Sequence, residues 1–147
     1  MKSQEDELSE EDKLNQLLVE FRLLESTFNE FTARQNVLER ALIEARSALE
    51  TLKSLSAEDP ADVLMPIGAG VLLRGSPPDA ERILVNVGAN VVLEKSRDDA
   101  AAILDSRIDN LEKSIVSIAS QRNQIAQRLE SDRRVLQSIA SRQAPQE

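Results

Sequence analysis

Two groups of residues in this chain have types and spacing that invite chemistry: the glycine pair Gly68 and Gly70 around Ala69, and the carboxylates Asp98, Asp99, Asp105 and Asp109. A glycine-rich turn can cradle phosphate when it opens a helix and carries a following Lys and Ser or Thr. Here the turn lacks that arrangement and runs into the apolar stretch Val71, Leu72 and Leu73, so a strand-to-strand turn is favoured over a phosphate loop. Oxygen-ligand cation sites need a loop that converges on the ion, whereas these four aspartates fall along a helix-like stretch, which favours a solvated face. A third group, Arg122, Arg128, Arg133, Arg134 and Arg142, resembles a basic patch but has no stacking aromatics beside it. The chain contains no His and no Cys, so the commonest general base, the thiolate nucleophile and the usual zinc ligands are all missing. No catalytic residue, metal site or cofactor is therefore expected, and the chain does not read as an enzyme.

Charge narrows the partners. The 18 basic and 26 acidic side chains leave a net charge of −8, which repels phosphate backbones and anionic membrane surfaces. No nucleic-acid or membrane partner is expected. No stretch approaches the roughly 18 apolar residues of a membrane span, and "MKSQEDELSEEDK" lacks the apolar core of a signal peptide. The expected setting is soluble and cytoplasmic.

The elements that position these residues follow from periodicity. With Leu14 as an a position, the a and d series runs Leu14, Leu17, Phe21, Leu24, Phe28, Phe31, Gln35, Leu38, Leu42, Ala45, Leu49 and Leu52. An apolar seam repeating every 3.5 residues must face a partner helix along its length. A second series, Ala101, Leu104, Ile108, Leu111, Ile115, Ile118, Arg122, Ile125, Leu129, Asp132, Leu136 and Ile139, keeps the same rhythm with two charged interruptions. Pro60 predicts that the first helix stops near Ser56. Ser96 with Asp99 reads as the capping pair that starts the second, and Pro145 closes it.

Between the arms a motif occurs twice, twenty residues apart: Leu64 matches Leu84, Gly68 matches Gly88, Ala69 matches Ala89, and Val71 matches Val91. Each copy reads as a β-hairpin whose glycine permits positive φ. Isolated hairpins are marginal in water and leave strand edges open, so the two are expected to pair with strands of other subunits. The arms should fold back antiparallel, which sets the acidic N-terminal residues against the C-terminal arginines. A register with Leu52 beside Ala101 places Phe31 against Arg122 and Phe21 against Asp132.

This order of elements, together with "PIGAGVLL", "ILVNVGANVVLEKS" and the presence of two hairpins, resembles the prefoldin family in its archaeal α type. The resemblance covers nearly the whole chain. It implies a mainly α fold: an N-terminal coiled-coil helix over residues 5–56, two oligomerising β-hairpins over 62–95 and a C-terminal coiled-coil helix over 97–143. The hairpins of several subunits would form an intersubunit β-barrel. The resemblance further implies a hexamer of two α and four β-type prefoldin subunits. Such a hexamer holds unfolded protein clients at its coil tips without ATP and delivers them to a group II chaperonin.

For this sequence the strands expected to oligomerise carry Val63, Leu64, Val71, Leu73, Ile83, Val85, Val87, Val91 and Leu93. The tip residues expected to meet clients are Leu8, Leu14, Leu17, Leu18, Val19, Phe21, Val135, Leu136 and Ile139. Polar seam residues weaken local helix pairing, so Arg122 and Asp132, with Gln35 farther in, are candidates for loosening the tip; register setting and simple solvent exposure remain open for them. The competing reading is a structural coiled-coil adaptor that docks one folded partner.

Overall fold

The computed structural model describes residues 9–55, 62–76 and 81–143. Its element order is α1 (Glu10–Ser54), β1 (Val63–Gly68), β2 (Val71–Gly75), β3 (Ile83–Gly88), β4 (Val91–Lys95) and α2 (Arg97–Gln143). These are two long helices and two antiparallel hairpins, as the periodicities predict. The stop expected near Ser56, the Pro60 and Pro145 signals and the tip candidate Leu8 lie outside the described residues.

Both helix starts are capped by their own side chains. Ser9 Oγ accepts the Asp12 amide at 3.1 Å and donates to the Asp12 carboxylate at 2.7 Å. Ser96 Oγ accepts the Asp99 amide at 3.1 Å. Each serine satisfies one of the amides that a helix N-terminus leaves without an intrahelical partner. Asp98 and Asp99 thus serve the first turn of α2, where negative charge suits the helix dipole.

All twelve predicted seam residues of α1 and all twelve of α2 are buried or half-buried. The chain forms two compact units by its internal contacts. One is Glu39–Lys113; the other combines Met1–Leu38 with Ser114–Glu147. In the Glu39–Lys113 unit the core consists of Ala45, Leu49, Leu52 and Ala100. There Arg46 pairs with Glu112 across the two helices, and Arg97 donates to the Leu55 carbonyl. Arg107 donates to the Asn86 carbonyl, tying the second hairpin to α2. In the other unit Arg128 bonds Glu20 at 2.9 Å, and the Arg122 guanidinium stands 6.0 Å from the centre of the Phe28 ring. The order of these pairs is reversed between the helices, so the helices run antiparallel. Phe28, under the Arg122 guanidinium, lies one turn from the Phe31 that the expected register sets opposite Arg122.

The two hairpins repeat one register. Leu64 pairs with Arg74, Met65 with Leu73 and Gly68 with Val71; twenty residues on, Leu84 pairs with Glu94, Val85 with Leu93 and Gly88 with Val91. Both carry a bulge before the turn, at Pro66 to Gly68 and at Asn86 to Gly88. The turns need left-handed backbone. Gly68 and Gly88 sit at φ of 109° and 117°, where a side chain is strained, and Ala69 and Ala89 occupy φ of 51° and 47°. Asn86 Oδ1 accepts the Gly88 amide at 2.9 Å and holds the second turn. At the open ends, Asp62 faces Arg74 at 3.6 Å in the first hairpin, whereas Arg82 faces Glu94 at 2.9 Å in the second. The same structural position carries the ion pair with its polarity exchanged.

Candidate functional site

Two apolar surfaces stand out. The first is the pair of hairpins, each a two-stranded sheet of its own. Strands with aliphatic residues on both faces bury nothing by pairing with one neighbour alone. Of the residues expected to oligomerise, Val63, Ile83 and Val85 are half-buried, while Leu64, Val71, Leu73, Val87, Val91 and Leu93 are exposed. Met65, Ile67, Leu72, Leu84 and Val92 add to this surface, with Leu84 71% exposed. Leu84 and Val92 are apolar on the second strand face, which the sequence already marks as needing cover; Met65, Ile67 and Leu72 carry the same signal in the first hairpin. Eleven large aliphatic side chains exposed on two short hairpins is far more than scattered surface hydrophobics, and such surfaces mark association.

The second surface is the helix pair of the unit combining Met1–Leu38 and Ser114–Glu147. Seam residues Leu14, Leu17, Phe21, Leu136 and Ile139 are half-buried between the helices; Leu18, Val19 and Val135 are exposed beside the seam. The expected tip cluster is thus divided: five residues line the joint and three flank it. The half-burial has a simple cause, since a single partner helix covers only one side of each seam residue. Leu23, Val37 and Val116 also point outward, at 67%, 56% and 69% exposure. They fall at heptad positions that normally carry polar residues, and reading the seam alone passes over them.

The polar seam residues are not solvent-facing. Arg122 is half-buried over Phe28, and Asp132 is 3% exposed. Asp132 Oδ1 is held by Arg128 Nε at 3.2 Å, and Arg128 in turn bonds Glu20 of α1. A three-residue charge network therefore spans the joint, which sequence spacing alone does not reveal.

Among the described residues no group of three or more carboxylates, histidines or cysteines is placed to hold a metal ion. Among the described residues no helix is long and apolar enough to cross a membrane. The arrangement suits contact with macromolecules through apolar surface.

Comparison with known proteins agrees in extent and order of elements. The prefoldin subunit family model matches residues 24–142. Prefoldin subunit alpha of Nitrosopumilus maritimus is 32% identical over 120 residues, covering 82% of this chain and 83% of that protein. In fold, the chain is similar to one in the cryo-EM structure of filamentous PFD from Methanocaldococcus jannaschii, with a TM-score of 0.65 at 20% identity, covering 80% of this chain and 95% of that one. It is also similar to the crystal structure of the prefoldin beta subunit from Thermococcus strain KS-1, with a TM-score of 0.61 at 18% identity, covering 90% and 95% of the two chains.

Proposed function

This chain belongs to the prefoldin family, a family of chaperone subunits, and from that premise we propose that it works as an ATP-independent holdase whose paired helices bind unfolded polypeptides. One observation carries this reading. In the unit formed by Met1–Leu38 and Ser114–Glu147, every apolar seam residue from Leu14 to Leu38 and from Ile115 to Ile139 is only half-buried. A strip of aliphatic and aromatic surface therefore stays within reach of an incoming chain, flanked by Leu18, Val19 and Val135. Apolar attraction is non-directional, so such a strip binds without reading a particular sequence.

The exposed hairpins supply the second half of the proposal. Their edges and faces join those of other prefoldin subunits in an intersubunit barrel, in the arrangement of two α and four β-type chains, so that several helix pairs act on one client. Each weak contact then gains from the high local concentration of the next. Delivery of the held client to a group II chaperonin completes the proposed cycle.

The test is suppression of aggregation of several unrelated denatured proteins by the assembled complex in the absence of nucleotide. A holdase slows aggregation of them all. Indifference to every one of them, with tight binding of a single folded protein, would replace this reading with the adaptor. Mass measurement after co-expression with a β-type subunit checks the stoichiometry.

A further inference from the structure

We propose that Asp132 makes the tip selective, favouring apolar client segments that carry a lysine or arginine. The inference rests on the holdase reading above and names the chemistry its clients prefer.

Asp132 occupies a d position in the α2 seam with only 4% of its side chain exposed. One carboxylate oxygen is held by Arg128; the other, Oδ2, is buried and has no hydrogen-bond partner. A buried acceptor left unmade is costly, the more so on a charged group. Arg128 cannot supply the missing bond in full, because Nε and Nη2 both also reach Glu20 Oε1, at 3.2 and 2.9 Å. One guanidinium thus serves two carboxylates, and the network across the joint retains a net charge of −1.

In sum the nearby charges balance it, but none of them gives Asp132 Oδ2 a donor. On α2, Glu130 is bonded to Arg134, and Arg133 is exposed. On α1, Arg22 and Glu25 are exposed and of opposite sign. Phe21 follows Glu20 in the half-buried seam, so apolar surface lies at the same level as the unmatched oxygen.

A polypeptide segment that parts the helices here meets two demands at once. Its aliphatic groups replace the seam contacts it displaces, and a Lys or Arg placed among them gives Asp132 Oδ2 a charge-assisted donor. An acidic segment of equal hydrophobicity finds a like charge instead. The discrimination is therefore local to Asp132, in addition to the diffuse attraction of a chain of net charge −8.

Three fluorescent peptides of one apolar sequence, bearing Lys, Gln or Glu at the centre, test this against the full assembled protein. The expected affinity order is Lys, Gln, Glu, with about a tenfold ratio between the first and last. Asp132→Asn should bring that ratio down to about twofold while leaving the Gln peptide unchanged. Asp132→Leu, which restores an apolar seam, serves as a second variant and should likewise abolish the preference. An undiminished Lys preference in both variants assigns it to overall charge and overturns the proposal. Equal binding of the three peptides to the wild-type protein overturns it also, while leaving the holdase reading intact; absence of binding by all three defeats that reading itself.

Discussion

Replacing Val91 with lysine tests the assignment of the hairpins to assembly. Val91 lies on β4 with 48% of its surface exposed, in the same hairpin as Val87, Val92 and Leu93, which are similarly bare. Covering the open half of a valine contributes about 1 kcal/mol. Val91→Lys removes that gain and brings an ammonium into an interface lined by aliphatic groups, where desolvation costs several kcal/mol unless a partner charge is present. A net loss of about 3–4 kcal/mol per interface corresponds to assembly weakened by about 10²- to 10³-fold. Sedimentation velocity at micromolar concentration should then show a shift from the complex to smaller species, with helical circular dichroism retained because α1 and α2 do not depend on this side chain. Val116→Lys is the control. It is 69% exposed on α2, more open than Val91, yet lies outside the hairpins. If Val91→Lys sediments like the wild type, or if Val116→Lys disperses the complex as effectively, exposed strand surface is not what joins the subunits.

Three further outcomes follow from the packing. Leu49→Ala cuts into the best-buried part of the seam, where Leu49 is 9% exposed, and should lower stability by about 2–4 kcal/mol in denaturant titrations of the assembled protein. Ser96→Ala removes the acceptor for the Asp99 amide, costing about 1 kcal/mol and lowering the thermal midpoint by several degrees. Deleting residues 1–12 and 135–147 removes Val135, Leu136 and Ile139 while sparing all four strands; the subunit number read by native mass should be unchanged and capture of denatured protein weakened, and loss of the oligomer with normal capture would reverse the division of labour.

How far this molecule was legible in advance differs element by element. The helices were readable because a 3.5-residue apolar rhythm has only one stable use, a seam against another helix, and every residue from Leu14 to Leu52 on that rhythm is removed from full exposure. The hairpins were readable because Gly68 and Gly88 stand where backbone must turn left-handed, and a twenty-residue repeat of type produced a twenty-residue repeat of register. Ser96 announced the start of α2 through the amide it caps. These are local matters, settled by each residue's own conformational limits and by its immediate neighbours in the chain.

The fate of the polar seam residues depended on groups far away in sequence. The residue type of Asp132 does not say whether it is wetted or enclosed; the approach of Glu20, more than a hundred positions earlier, with Arg128 between them, made it a buried member of a network. The Arg122 guanidinium over the Phe28 ring is likewise a contact between groups far apart in sequence. The outward aliphatics Leu23, Val37 and Val116 belong to the same class, since hydrophobicity states a preference for burial and not whether a neighbour exists to provide it. Sequence by itself determined which faces seek a partner, through period and backbone constraint; tertiary structure decided which of them found one, because burial and long-range charge pairing are properties of two surfaces brought together.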